Sequence, residues 1–294
     1  MKILVTGSNG QLGNEIKSIL SAGCSEIGGN FTHLSNSDVD YIDIEQLDIS
    51  LIDDVVAYVK NGNYDVIINC AALTNVDGCE TNLSDLAFKV NALGARNLAI
   101  AADKIGAKLV HVSTDYVFDG NASKPYKEWD KKDPQSVYGN TKSLGEDYVR
   151  DFCKKYFILR TSWLYGYVGK NFVKTMLNAG RKNGSLKVVN DQRGNPTNAN
   201  DLAHHILKLI TTDEYGIYHC TGNGECTWFE FTQKIIEYSG INATVTPCSS
   251  SEFPTPTKRP SYSGLDNMML RNTIGDEMRN WQDALKDYIK KVKL

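Results

Sequence analysis

The chain has 294 residues, enough for one two-lobed domain or two ordinary ones with a well-buried core. Hydrophobic residues make up 41% and charged residues 23%, the balance of a globular protein, and 32 Lys plus Arg against 35 Asp plus Glu leave a net charge of -3. That charge gives nucleic acid or an anionic membrane no electrostatic hold; apolar runs such as Val66–Ile68 and Cys70–Leu73 are too short to span a bilayer, and MKILVTG lacks the apolar stretch of a signal peptide. The expectation is a cytoplasmic protein with neither a nucleic-acid nor a membrane partner.

In chain order, Lys2–Thr6 reads as a strand, followed by glycine turns and a helix over Leu12–Leu20. Phe31–Leu34 reads as a short second strand, Ile52–Val59 as a helix, and Asp65–Asn69 as a fully buried strand. A long helix over Leu86–Lys104, a strand at Lys108–Ser113, a helix over Val137–Lys155 and a strand at Tyr156–Arg160 continue the alternation. Such β-α alternation predicts an α/β fold with a doubly wound parallel sheet covered on both faces. After Arg160 the rhythm changes: helices over Asn171–Arg181, Asn200–Ile210 (capped by Asn198 or Asn200) and Trp228–Tyr238, with extended segments at Leu186–Val189 and Gly216–His219. Four of the seven prolines fall between 247 and 260, and a last amphipathic helix runs from about Asn280 to the end.

The seven cysteines, at 24, 70, 79, 153, 220, 226 and 248, include no C-x-x-C and read as reduced thiols. The five histidines form no metal motif. His204 and His205 are neighbours, about 100° apart on any helix, and are expected not to face one ion together. No metal is expected.

Three segments carry chemistry. Thr6-Gly7-Ser8-Asn9-Gly10-Gln11-Leu12-Gly13 opens a helix directly after the first strand, where glycines let backbone amides approach a pyrophosphate at the positive helix end. The spacing is one residue wider than the usual dinucleotide fingerprint, and an ordinary strand-to-helix turn looks similar. An acid after the second strand would favour the ribose of NAD. At Leu34-Ser35-Asn36 there is none, the nearest being Asp38, and no Arg stands ready for a 2′-phosphate, so NADH and NADPH both remain open.

The second segment is Tyr138-Gly139-Asn140-Thr141-Lys142. At i and i+4 the phenol and ammonium share a helix face, and a nearby cation lowers a phenol pKa toward the range of a proton donor. Taken alone, this spacing is also that of a solvated helix surface. The third is Ser113-Thr114-Asp115-Tyr116-Val117-Phe118, at the carboxyl end of a buried strand, where open parallel sheets bind ligands.

As an ordered set, these segments make the sequence resemble the extended short-chain dehydrogenase/reductase family. Asn69–Asp77, Val90-Asn91-Ala92, Ser113–Phe118, Arg160–Tyr165, Asp191–Thr197, and Arg259-Pro260 with Ser263 and Leu265 narrow the resemblance to its dTDP-4-dehydrorhamnose reductases, over nearly the whole chain. The resemblance implies a Rossmann-like NAD(P)-binding domain over residues 1–165, with elements within 198–222 as candidates to complete it. A mainly substrate-binding α/β lobe would follow over 166–294.

It further implies reduction of the C4 ketone of a dTDP-4-dehydro-sugar by NADPH or NADH, feeding surface polysaccharide. The catalytic residues would be Thr114, Tyr138 and Lys142: Tyr138 gives the proton, Lys142 holds the nicotinamide ribose and keeps the Tyr138 pKa low, and Thr114 bonds the carbonyl oxygen. Cofactor contacts would be Gly7, Gly10, Gln11, Leu12 and Gly13 at the pyrophosphate, with Ser35 after the second strand. Asp48 and Ile49 would lie by the adenine, and Ala72, Leu73 and Thr74 along the third strand's loop. Asp115 and Trp163 match sugar-binding positions, though a Trp after a buried strand also reads as core. Asn91 matches a supporting helix Asn, or is an internal cap.

Some family members bridge subunits through Mg²⁺. Here Glu15 holds one matching position, but the tail from Asp287 to Leu294 contains no Glu, so Mg²⁺ is doubtful and Glu15 reads as a helix-surface acid. A monomer or homodimer is expected. The alternatives are a nucleotide-sugar epimerase or dehydratase of the same superfamily, or a regulatory subunit resembling the methionine adenosyltransferase β subunit. Dehydration is disfavoured, because Thr114-Asp115 lacks the following Glu.

Overall fold

The computed structural model describes residues 1–292; Lys293 and Leu294, the end of the last helix expected from sequence, lie outside the described residues. Five strands of the central sheet lie between Lys2 and Thr161: β1 (Lys2–Thr6), β2 (Asp38–Ile42), β3 (Val66–Asn69), β4 (Lys108–Thr114) and β5 (Tyr156–Thr161). After an excursion through β6 (Ser185–Val189), β7 (Gly216–His219) returns to pair with β5. The order is β2-β1-β3-β4-β5-β7, every pairing parallel. The chain reverses its direction of travel between β1 and β3, and that switch point leaves a crevice at the strands' carboxyl ends.

Side chains alternate across the sheet as the strand period demands. Ile3, Val5, Val66 and Ile68 pack on one face against Ile16 and Ile19 of α1 (Gln11–Ala22). Leu4, Ile67 and Leu109 pack on the other against Val55 of α2 (Ile52–Gly62) and Leu98 of α3 (Ala95–Ile105), with Val149 of α4 (Val137–Phe152). α5 (Phe172–Asn183) follows β5, and α6 (Ala199–Leu209), capped by Asn198, lies beside α1 and buries Leu202 and Ile206 in the first face.

The smaller lobe has a core of its own. Val173 and Leu177 of α5, Phe231 and Ile235 of α7 (Trp228–Ser239), and Leu285 and Tyr288 of α8 (Trp281–Lys291) meet around Tyr165. β8 (Thr244–Cys248) pairs in parallel with β6 at its edge.

Two expected elements are corrected. Phe31–Leu34 is not a strand: Thr32–Ser35 forms a single helical turn, and the strand beside β1 is Asp38–Ile42. β2 is an edge strand with Asp38 exposed, so its polar residues hide the strand pattern. The long helix at Leu86–Lys104 is instead a short turn at Ser84–Ala87, a π-helical segment at Phe88–Gly94 and then α3. Such widened turns frequently sit at functional sites.

A buried ion pair ties the layers together. The Arg160 guanidinium on β5 donates to both carboxylate oxygens of Glu146 on α4, at 2.9 and 2.8 Å, and to the Glu128 carbonyl at 3.1 Å. Glu146 also accepts the Ser113 hydroxyl from β4 at 2.6 Å. Burial alone would raise the Glu146 carboxyl, but Arg160, Lys132 and Ser113 outweigh it and bring the pKa down to about 2.

Glu146→Gln leaves the guanidinium buried without its counter-charge and is expected to cost about 3 kcal/mol, read as a lower urea midpoint. Because the folded pKa lies below the ordinary 4.5, the ionised carboxyl's stabilisation is complete above that value and is lost as pH falls toward 2. The same variant should therefore show a shallower decline in stability over that acid range.

Candidate active site

The glycine turn lies at the switch point. Gly7 has φ +63°, and a Cβ there would stand 2.6 Å from the Ala71 amide nitrogen, so the turn fits only with glycine against the loop leaving β3. No side chain caps α1 and no acid occupies its first turn, which leaves its N-terminal amides and positive dipole end facing the crevice. Gln11 turns across the gap to accept the Gly166 amide at 2.8 Å.

On the next strands, Thr114 ends β4 and its hydroxyl donates to Asp115 Oδ1 at 2.8 Å. Among the described residues, Asp115 Oδ2 and the Thr161 hydroxyl are buried without a partner. The Ser136 hydroxyl caps α4 by accepting the Gly139 amide at 3.0 Å, and a Cβ on Gly139 would stand 2.3 Å from the Tyr116 carbonyl. The start of α4 thus packs directly on the Thr114–Tyr116 turn, setting the Tyr138 ring edge-on to Tyr116 with centroids 5.5 Å apart. One turn on, the Lys142 ammonium donates to the Val112 carbonyl at 2.6 Å.

Asn91, in the π-helical segment, accepts the Leu73 amide at 2.8 Å and donates to the Leu73 carbonyl at 3.1 Å and the Thr141 hydroxyl at 3.3 Å. It clamps the loop after β3 to α4.

Two adjoining cavities occupy the crevice and share Gly7, Gly10, Cys70 and Ala72. The larger, about 510 Å³, brings together Thr114, Asp115, Tyr138, Lys142 and Trp163 with Gln11, Leu12 and Thr74. The smaller, about 330 Å³, is lined by Asp48, Ile49 and Leu73. An uncapped helix end, a backbone-only turn and a two-chambered cleft fit an extended dinucleotide. Gly13 and Ser35 line neither chamber. Gly13 packs beneath the turn against Ser8, and Ser35 is exposed on the short helix, its hydroxyl on the Thr32 carbonyl. The residue that follows the second strand is Asp43.

Trp163 takes φ +48°, a left-handed conformation costly for a bulky side chain, and stacks on Trp228 with centroids 3.4 Å apart. Both rings line the larger cavity, as do Gln192 and Arg259, whose segments carry the resemblance without marking either as a site residue. Arg259 also donates to Asp77 at 2.9 Å.

Burial governs the ionisable groups. It lowers the Lys142 ammonium to about 8 and raises the Asp115 carboxyl to about 6. It pushes the Tyr138 phenol well above 10, with the Thr114 hydroxyl pulling weakly the other way. The expected low phenol pKa is thereby corrected; Tyr138 retains its proton.

Glu15 is also corrected. It is buried, its carboxylate accepts from Asn200 at 2.8 Å, and desolvation raises its pKa. His204 and His205 do converge with Glu277, their ligand atoms all within 4.8 Å of one another, because the two rings lean toward the same loop. All four ring nitrogens are engaged, by Ser25, Glu277, the Asp201 carbonyl and the Glu277 amide.

A parallel sheet with an open helix end at its switch point, and a Tyr-Lys helix beside a strand-end hydroxyl, defines the extended short-chain dehydrogenase/reductase architecture. A family model described as the RmlD substrate binding domain matches residues 1–294. The crystal structure of a dTDP-4-dehydrorhamnose reductase from Clostridium acetobutylicum is 48% identical, covers 99% of both chains and superposes with a TM-score of 0.93. That of the reductase from Bacillus anthracis, solved in complex with NADP, is 40% identical over 99% of both chains, with a TM-score of 0.92. The spore coat polysaccharide biosynthesis protein SpsK of Bacillus subtilis is 38% identical over 98% of this chain and 96% of its own length. The chain belongs to the dTDP-4-dehydrorhamnose reductase family.

Asn91→Ala should free the loop after β3. The expected outcome is a stability loss of about 2 kcal/mol from the three lost bonds, with faster hydrogen exchange at the Leu73 amide. Unchanged protection there would show that Asn91 does not hold the loop.

Proposed function

We propose that the protein reduces the C4 ketone of dTDP-4-dehydro-β-L-rhamnose to dTDP-L-rhamnose with NADPH or NADH, supplying a sugar nucleotide for surface polysaccharide. The reading includes a cytoplasmic location and action as a monomer or homodimer. The observation that carries it is the convergence of Thr114, Tyr138 and Lys142 in one cleft that opens onto the glycine turn, in a chain nearly half identical to a reductase named for this reaction.

When bound, the nicotinamide supplies the hydride to C4. The glycine turn at Gly7 and the open N-terminal end of α1 would hold the pyrophosphate. The Tyr138 phenol, kept protonated by burial, gives its proton to the carbonyl oxygen as that oxygen becomes the alcohol. Lys142, one helical turn from Tyr138 and fixed on the Val112 carbonyl, carries the positive charge that would stabilise the phenolate left behind, and it would hold the ribose hydroxyls of the cofactor. The Thr114 hydroxyl turns from Asp115 to donate to the carbonyl oxygen, and the freed Asp115 carboxylate accepts a sugar hydroxyl. Trp163 and Trp228 form a flat apolar wall that a sugar or base ring can cover.

The test is a coupled assay. The dTDP-glucose is converted by a 4,6-dehydratase and a 3,5-epimerase, the protein is added, and reduced nicotinamide is followed optically. Oxidation that requires both the protein and the epimerase is expected; folded protein that oxidises neither cofactor would overturn the proposal. Tyr138→Phe is expected to lower turnover by about 100-fold or more while leaving dinucleotide affinity unchanged, and full activity in that variant would remove the proton-donor role.

A further inference from the structure

Two buried polar atoms in the larger chamber lack partners, and they are complementary. Resting on the ketone-reductase reading above, we propose that the Thr161 hydroxyl is a substrate-recognition group. It donates to the sugar hydroxyl on the carbon next to the ketone, while Asp115 Oδ2 accepts that hydroxyl's own proton.

Thr161 closes β5 as Thr114 closes β4, and the two are register partners in the parallel pairing of those strands. Such partners point to the same face of a sheet, on strands about 4.8 Å apart. Here that face is the one packed on α1. Val110 and Val112 precede Thr114 along it at every second residue, and Phe157 and Leu159 precede Thr161. Two threonines thus stand side by side at the carboxyl edge of the sheet, and both line the 510 Å³ cavity.

Their hydroxyls are engaged differently. Thr114 donates to Asp115 Oδ1 at 2.8 Å, whereas among the described residues the Thr161 hydroxyl and Asp115 Oδ2 have no partner. Thr161 is 7% exposed and Asp115 5%. Nearby groups are turned elsewhere. The Ser162 hydroxyl donates to the Asn195 carbonyl at 2.7 Å, and the Cys220 thiol meets the Met278 sulfur at 3.8 Å. The Ser263 hydroxyl, which also bears on the Asp115 carboxyl, is directed to the Arg193 carbonyl at 3.4 Å. A buried donor or acceptor left unmatched is costly. One free donor and one free acceptor on a single cavity fit a ligand group that both accepts and donates, as a hydroxyl does and a methyl or a phosphate does not.

Place in the sheet favours the sugar over the dinucleotide. The order β1-β3-β4-β5 puts Thr161 one strand farther than Thr114 from the glycine turn, and Trp163 follows it two residues on. With Thr114 on the ketone oxygen, the hydroxyl of the next strand meets the next oxygen of the sugar. In the proposed substrate one neighbour of the ketone carbon bears a hydroxyl, at C3, and the other bears the methyl. The Thr161–Asp115 pair therefore recognises the C3 hydroxyl and orients the ring about the ketone.

The experiment compares the full-length protein with Thr161→Val on the sugar nucleotide and on its 3-deoxy analogue, measuring dinucleotide dissociation constants and urea midpoints alongside. Wild-type kcat/KM is expected to be about 100-fold lower for the analogue, which leaves both buried groups unmatched. Thr161→Val should lower kcat/KM by about 10-fold on the natural substrate, chiefly through KM, and by less than about 2-fold on the analogue. Thr161→Ser should restore most of that loss, and dinucleotide affinity should hold. The urea midpoint should not fall, because the hydroxyl has no protein partner to lose. Equal losses on the two substrates, a change confined to dinucleotide affinity, or a lower midpoint with unaltered kinetics would each overturn the assignment. A folded wild type that reduces neither sugar nucleotide would instead overturn the reductase reading itself, and the assignment with it.

Discussion

One buried guanidinium organises the cleft. Arg160, 2% exposed, can be accommodated in the sheet only because Glu146 meets it with both oxygens, and Glu146 in turn takes the Ser113 hydroxyl. Taking two charges out of water is expensive, and the geometry that compensates must be specific. Here the specificity has a structural consequence. Ser113 immediately precedes Thr114, while Lys142 and Tyr138 lie one and two turns before Glu146 on α4. The contact that satisfies the buried charge therefore fixes the strand end and the helix against each other. The Gly139–Tyr116 approach and the Asn91 clamp then complete the alignment from the other side.

The same burial sets the protonation states. Glu146 stays ionised because three partners surround it, Tyr138 stays protonated because nothing nearby outweighs its desolvation, and Lys142 is left with a lowered pKa of about 8. A ketone reductase needs a donor that arrives with its proton, and a neighbouring cation that tolerates the charge left after transfer. Before substrate binds, the cleft satisfies the first need through desolvation of the phenol, whereas the expectation from spacing alone assigned that control to Lys142.

Much of this was legible in the sequence, for identifiable reasons. The glycine turn, the buried strands and the Tyr-Lys pair are local patterns, and helix and strand periods carry them. The second strand was not legible, because an edge strand solvated on one side uses residues such as Asp38 and Asp40 that look like loop. That single miss displaced the strand end from Asp43 to Ser35. Trp228 was invisible for another reason: it meets Trp163 across 65 positions of sequence, a contact no local pattern reports. Glu15 was misjudged because its partner, Asn200, comes from a helix 185 residues away. Tertiary proximity decided each of these cases.

In the proposed mechanism, the protonation of Lys142, set by its burial, governs a cleft whose donor phenol stays loaded. The most direct measurement is the pH dependence of kcat/KM for the reduced cofactor at saturating sugar nucleotide, since this parameter reports the groups of the enzyme before the cofactor binds. A limb that falls as pH rises through about 8, as the Lys142 ammonium is lost, is the predicted result. A profile that stays level to a pH of about 9.5 would contradict it, because no charge at Lys142 would then be required.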